Sequence, residues 1–370
     1  MIEARKTTRL PWIEVAKAFG IILVVYGHFA ERLYEANYHA AFLQVKFLFA
    51  FTIPFFFVLS GYVYRDRGED FRTFLKSHAA SRLIPVLVFN LLGLVVFLAL
   101  YPPADKASLK EVLFDVLSWA RGHPTYNWAM WFLVCLFTLE IIHYFAGRYA
   151  TTTRRLIALA IGSYLVGWFV LWQASFITGA TGLARNFWFI HEAPIAYALY
   201  LAGILARRLN LIERPGRWGG LLIFFALLAL TLATFNLNTG PFVHRKQVVL
   251  MSGGSNGSIW AFPVTALAGA FMLCYLSRLT RPVRWLVFIG GATIPLLGLD
   301  GIIHNHVNPL LAQRLSAFLP DTQLAVLAAG LVVTIGTIVL CSPAMYLLNR
   351  YVPQLMGRPK VKGPWLKNLV

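Results

Sequence analysis

Ten continuous apolar runs, beginning near Pro11, Phe42, Arg82, Trp128, Leu156, Phe187, Trp218, Ile259, Trp285 and Leu324, leave this 370-residue chain few ways to fold. Each is about 20 residues long, the length an α-helix needs to cross the hydrocarbon of a bilayer. In lipid no water pairs with backbone polar groups, so a spanning segment is either a helix or part of a closed barrel. The runs are unbroken rather than ten-residue strands of alternating polarity, which selects helices. The expected fold is all-α, a polytopic membrane bundle of about ten transmembrane helices. Composition agrees: 13% of the residues are charged, against about 25% in a soluble domain.

Lys and Arg concentrate in cytoplasmic loops. With the N-terminus inside, 23 of the 33 basic residues fall on inner segments, 9 on outer ones, and Lys17 lies within the first run. Both termini are therefore expected in the cytoplasm, and the net charge of +18 follows from inner loops facing anionic lipid. The basic residues form no soluble patch with a nucleic-acid motif, so no nucleic-acid partner is expected. Glu14 and Lys17 interrupt the first run and no small-residue cleavage site follows His28, so that run reads as an uncleaved helix. Cys135, Cys274 and Cys341 are far apart within apolar runs and form neither a disulfide nor a zinc pattern. No metal is expected. The chain reads as one transmembrane domain over residues 1–350, followed by a basic cytoplasmic tail, 351–370. The outer connection Asn236 to Ser258 carries Gly253, Gly254, Ser255 and Gly257, and reads as a flexible loop at an outward mouth.

Ionisable groups within a span are costly unless paired or hydrated, so each is a candidate site. At 100° per residue, Glu14, Lys17 and His28 share one face of the first helix. Glu14 and Lys17 can pair near the cytoplasmic end. His28 lies about 16 Å farther up, where a neutral imidazole suits a general base. In the second run Pro54 is expected to kink the helix. Arg65, Arg67, Arg72, Lys76 and Arg82 follow within eighteen residues and suggest an anion clamp for phosphates.

Four stretches resemble the acyltransferase-3 family of membrane O-acyltransferases, in particular its fucose 4-O-acetylase-like branch: Trp12 to His28, Ile53 to Tyr62, Arg82 to Pro85, and Trp131 to Leu133. Thr293 to His304 is a looser match to that family's late span. The resemblance covers nearly the whole chain. It implies transfer of an acyl group, acetyl above all, from cytoplasmic acyl-CoA to a hydroxyl of a glycan or lipid-linked saccharide, in the cell (inner) membrane. Acyl-CoA would be a co-substrate, with no permanently bound cofactor.

By the same resemblance His28 is the essential histidine, and Arg82 is the second arginine of a cytoplasmic Arg-x-x-Arg pair. Ala79 replaces the first arginine of that pair, with Lys76 or His78 as the substitute charge, and Thr52 replaces a histidine. Arg65, Lys76 and Arg82 would grip acyl-CoA. Glu14, Lys17, Ser60, Tyr62, Asn127 and Trp131 would form a supporting polar path, the last four as oxyanion donors. Asp300, His304 and His306 would form a second cluster, near the opposite rim, for the acceptor. The alternative reading is a transporter or flippase for a polysaccharide precursor, its charges lining a substrate path.

Overall fold

A computed structural model describes residues 10–104, 106–173, 187–239 and 248–370. Its helices are α1 (Pro11–Glu35), α2 (His39–Phe49), α3 (Thr52–Val63), α4 (Phe71–Leu100), α5 (Lys106–Ser118), α6 (Trp131–Ala146), α7 (Thr153–Trp172), α8 (Ala193–Arg208), α9 (Arg217–Thr234), α10 (Ala261–Leu279), α11 (Arg284–Gly291), α12 (Thr293–His306), α13 (Asn308–Ser316) and α14 (Gln323–Tyr351). Among the described residues, nine helical stretches are long and apolar enough to cross a membrane. The pair α11–α12, bent by 73°, raises the number to ten if it counts as one span. The chain is a polytopic helical membrane protein.

The second crossing, His39–Val63, breaks between α2 and α3 at Ala50 and Phe51. The kink expected at Pro54 thus falls a few residues earlier, and Pro54 sits in the first turn of α3. The first N–H groups of a helix have no partner within it, so proline costs little there. The opposite end of the chain also departs from a plain reading. The tail folds back on the bundle through a short helical turn at Pro353–Met356, Gln354 is fully buried, and the Arg358 guanidinium donates to the Gly291 carbonyl at the α11–α12 break. A side chain at Gly291 would lie within 4.0 Å of both Arg358 and Glu14. The two ends of the chain therefore meet on one face, the rim that also carries Arg65 and Lys76.

α1 is the central post, packed by α2, α10, α11, α12 and α14. Around it, large apolar side chains such as Leu222 and Phe225 on α9, Phe169 on α7 and Val332 and Leu340 on α14 remain exposed. In water that surface would be an aggregation hazard; in a bilayer it is the lipid face. Helix association in lipid relies on close packing of small residues. α3 and α8 show this: a Cβ on Gly61 would strike the Tyr200 carbonyl, and one on Gly203 the Val58 carbonyl. On the far rim, the Asp321 carboxylate caps α2, accepting from the amides of Ala40 at 2.8 Å and His39 at 3.0 Å. Those amides hold the Asp321 carboxyl below its usual range.

Within the glycine-rich connection, whose residues 240–247 lie outside the described residues, 248–258 form a packed turn. Leu250 and Ser255 bridge through Leu250 N to Ser255 O at 2.6 Å and Ser255 N to Leu250 O at 3.1 Å. Gly254 and Gly257 take the left-handed conformations that glycine favours, and Ser252, Ser255 and Asn256 are buried.

Gly203→Val should lower the thermal stability of the detergent-solubilised protein by about 1–3 kcal/mol or more. Gly162→Val should leave it nearly unchanged, because a Cβ there meets open space. Equal melting shifts for the two variants would contradict backbone-close packing of α3 on α8.

Candidate active site

His28 rises on α1 and Asp300 descends to it from α12. The His28 Nδ1 to Asp300 Oδ2 distance is 2.6 Å, and the Asp300 side chain is fully buried while that of His28 is 18% exposed. A carboxylate only accepts, so opposite one Nδ1 supplies the hydrogen of this bond, and a neutral ring would then present Nε2 as an acceptor. The break before Thr293 makes the pair possible. It lets α11 lie on the start of α1, where Gly290 touches the Glu14 backbone, while α12 turns to bring Asp300 against His28.

One helical turn beyond Asp300, His304 closes over the same imidazole, with ring centroids 4.6 Å apart. Its Nδ1 bonds the His28 carbonyl at 3.2 Å, and its Nε2 lies 3.1 Å from Arg32 Nη2. Arg32 in turn donates to the His304 carbonyl at 3.2 Å and to Glu35 at 2.5 Å. Asp300 and His304, read from the sequence as a separate acceptor cluster, are thus joined to His28. His306 is not: its ring stands against Tyr101 at 5.9 Å.

His28 heads an apolar cavity of about 60 Å³. Ile21, Val24 and His28 line it from one face of α1, Ile53 and Phe56 from α3, Thr293, Ile294 and Leu297 from α12, and Ala129, Trp131, Phe132 and Leu133 from the start of α6 and the turn before it. Of the expected polar path, Trp131 alone lines this cavity. Asn127 is buried just outside, its Nδ2 donating to the Gly298 carbonyl at 2.7 Å, while its Oδ1 has no partner. Tyr62 lies near the basic rim, its hydroxyl donating to Glu213 at 3.1 Å and its ring edge on Trp12. Glu14 and Lys17 pair with each other at 2.9 Å, and neither they nor Ser60 reach the cavity.

Arg65 and Lys76 are exposed at the basic rim. Arg82 is engaged from both Nε and Nη2 by Glu140, at 3.1 and 2.8 Å. The His78 ring stacks on Phe74 at 4.0 Å and its Nδ1 bonds the Phe74 carbonyl. None of Arg65, Lys76 and Arg82 lines the cavity. Glu140 went unremarked in the sequence, although an acid in the middle of an apolar run is itself a signal. The His28–Asp300 pair had no such signal, because 272 residues separate its members. Among the described residues no three His, Cys, Asp or Glu side chains gather as a metal set.

Residues 10–346 match the model of a protein family described as an acyltransferase domain. No curated protein and no solved structure matches the chain.

Removing one partner of a buried ion pair leaves the other uncompensated, at a cost of roughly 3–5 kcal/mol. Glu140→Ala should therefore destabilise the protein, and Arg82→Met in addition should restore much of the loss, as read by thermal unfolding in detergent. A double variant less stable than Glu140→Ala alone would show that Arg82 has other necessary partners.

Proposed function

The chain belongs to the acyltransferase-3 family of membrane acyltransferases, and from that premise we propose that it is an O-acyltransferase of the cell (inner) membrane. Its donor is cytoplasmic acyl-CoA, with acetyl as the group carried, and its acceptor is a hydroxyl of an exported or cell-surface glycan. The supporting observation is the His28–Asp300 pair, 2.6 Å apart, at the head of an apolar cavity among the helices.

In this reading the acceptor hydroxyl meets His28 Nε2 as its oxygen attacks the thioester carbonyl. The proton passes to Nε2, the tetrahedral centre collapses, and the carbon–sulfur bond breaks. The departing thiolate takes the proton from the imidazolium to leave as the free thiol, so the base returns to its starting state. Asp300 holds Nδ1–H and balances the positive ring that forms between the two proton transfers, the part an orienting carboxylate plays beside a catalytic histidine. General-base assistance of this kind contributes about 10²–10⁴-fold. Trp131 lines the cavity, and its indole N–H, a donor only, is assigned to the developing oxyanion in this reading. The apolar walls exclude water and so protect the thioester from hydrolysis.

The phosphates of the donor fall to exposed Arg65 and Lys76, with Arg82 between them and the cavity. Charge-assisted contacts from Arg and Lys suit phosphate oxygens. The positive-inside count puts this rim in the cytoplasm. His304 and Arg32 brace His28 from the other rim, where the glycan arrives.

Purified protein in lipid nanodiscs, given acetyl-labelled acetyl-CoA and the host's own exopolysaccharide, should transfer label to the polysaccharide. His28→Ala should lower kcat by about 10²–10⁴-fold or more and still melt cooperatively, though below wild type because it leaves Asp300 unpaired, and Asp300→Ala should lower kcat by about 10²–10⁴-fold. Full transfer by folded His28→Ala would remove the base from the mechanism. Movement of unmodified polysaccharide across the bilayer, without label, would replace the enzyme by a carrier. Arg65→Ala with Lys76→Ala should raise the KM for acetyl-CoA and leave kcat nearly unchanged; an unaltered KM would place the donor elsewhere.

A further inference from the structure

A second polar centre, on the rim away from Arg65 and Lys76, is not used by this mechanism. Lys46 lies within the second crossing with its side chain only 4% exposed. Its Nζ donates to the Asn236 carbonyl at 3.2 Å, and among the described residues it has no acidic partner. An ammonium has three N–H groups, so two remain to be satisfied. Two residues beyond Asn236, Asn238 is 1% exposed and neither its Nδ2 nor its Oδ1 has a hydrogen-bond partner. Asn256 is 2% exposed and its Oδ1 is likewise unpartnered. Gly257, at φ 77°, lets the segment that carries Asn256 press on Asn238: a Cβ there would come within 2.9 Å of the Asn238 side chain. Buried polar groups are almost always paired, and a buried cation within a membrane span is costly without a partner. A buried lysine on the Asn236 carbonyl, with three orphaned amide atoms on Asn238 and Asn256 in the segments that meet there, is therefore a set of groups awaiting a ligand.

Their chemistry defines that ligand. The set offers one full positive charge, two N–H donors on Lys46, two on Asn238, and acceptor oxygens on Asn238 and Asn256. Sugar hydroxyls, each both donor and acceptor, match the amides; an anionic oxygen matches the ammonium. The position also fits an acceptor. Leu48 and Phe49, just after Lys46, pack on Gly27 beside His28. Ser252, in the same loop as Asn256, accepts from the Trp128 indole at 3.3 Å, and the next residue, Ala129, lines the His28 cavity. Asn236 is exposed, so the centre borders the solvent of its rim.

We infer that Lys46, Asn238 and Asn256 form a subsite for an acidic saccharide, whose negative group binds Lys46 and whose hydroxyls bind the two asparagines. Its role as the acceptor subsite rests on the O-acyltransferase reading; its ligand chemistry does not. The negative group is a sugar carboxylate or a phosphate ester, and the probes separate the two.

Binding of trigalacturonate, glucose 1-phosphate and neutral maltotriose to the purified full-length protein, without acyl-CoA, is measured by calorimetry. At least one anionic probe should bind ten-fold or more tighter than maltotriose, and which of them does so identifies the anionic group. Lys46→Met should remove that preference, Asn238→Ala should weaken the anionic probe at least ten-fold, and both variants should melt as cooperatively as wild type. Equal affinity for anionic and neutral probes, or Lys46→Met and Asn238→Ala binding like wild type, would overturn the subsite and leave the orphaned groups to ordered water. Because no acyl donor is present, selective binding by a protein that never transfers label would sink the enzymatic reading while sparing this subsite. Transfer without selective binding would do the reverse.

Discussion

The hydrogen bond between His28 and Asp300 joins two helices through a titratable group on each, the Asp300 side chain fully buried. Neither group is tolerable alone in an apolar interior, because a buried polar group costs free energy unless it is paired. The surrounding architecture follows from the need to bring them together. α1 must stand at the centre to present His28 inward. The ninth crossing must break so that one half lies against the start of α1 and the other turns toward its upper part. The glycines at that break, with Gly290 in contact with the Glu14 backbone, permit the close approach. The tail then covers the break through Arg358, which ties both ends of the chain to the same joint.

Two polar systems occupy opposite rims around that pair. On the basic side, Arg82 and Glu140 form an ion pair across α4 and α6, with exposed Arg65 and Lys76 beyond. On the other side, Arg32 and His304 brace the imidazole, and Lys46 reaches the Asn236 carbonyl two residues before Asn238, against which the 248–258 segment packs at Gly257. The apolar cavity lies between them. Such a division suits a reaction whose two substrates approach from different compartments, each held by its own polar groups, and meet only where water is scarce.

Much of this was legible from sequence because lipid imposes simple rules. Apolar run length gave the crossings, and His28 stood out as an ionisable residue on the inward face of the first helix. The breaks were less legible. Pro54 marks the second crossing as irregular, but the discontinuity belongs to Ala50 and Phe51, since proline is comfortable in a first helical turn. The partner of His28 could not be read, because pairing across 272 residues is decided by how helices pack rather than by local pattern. For the same reason Asp300 and His304 looked like a separate cluster. Tyr62, adjacent in sequence to the Ser60-Gly61 step, looked available for the site until packing tied it to Glu213. The glycine-rich stretch 248–258 reads as loose by composition, yet two backbone bonds and two left-handed glycines fold it tightly.

The central claim is that His28 and Asp300 act as one unit, and a double-mutant cycle on kcat for acyl transfer measures that coupling most directly. With His28→Ala, Asp300→Ala and the double variant all folded, the account predicts that the double variant is no slower than His28→Ala alone, because a carboxylate that serves only the imidazole has nothing left to orient. Losses that multiply independently would contradict it.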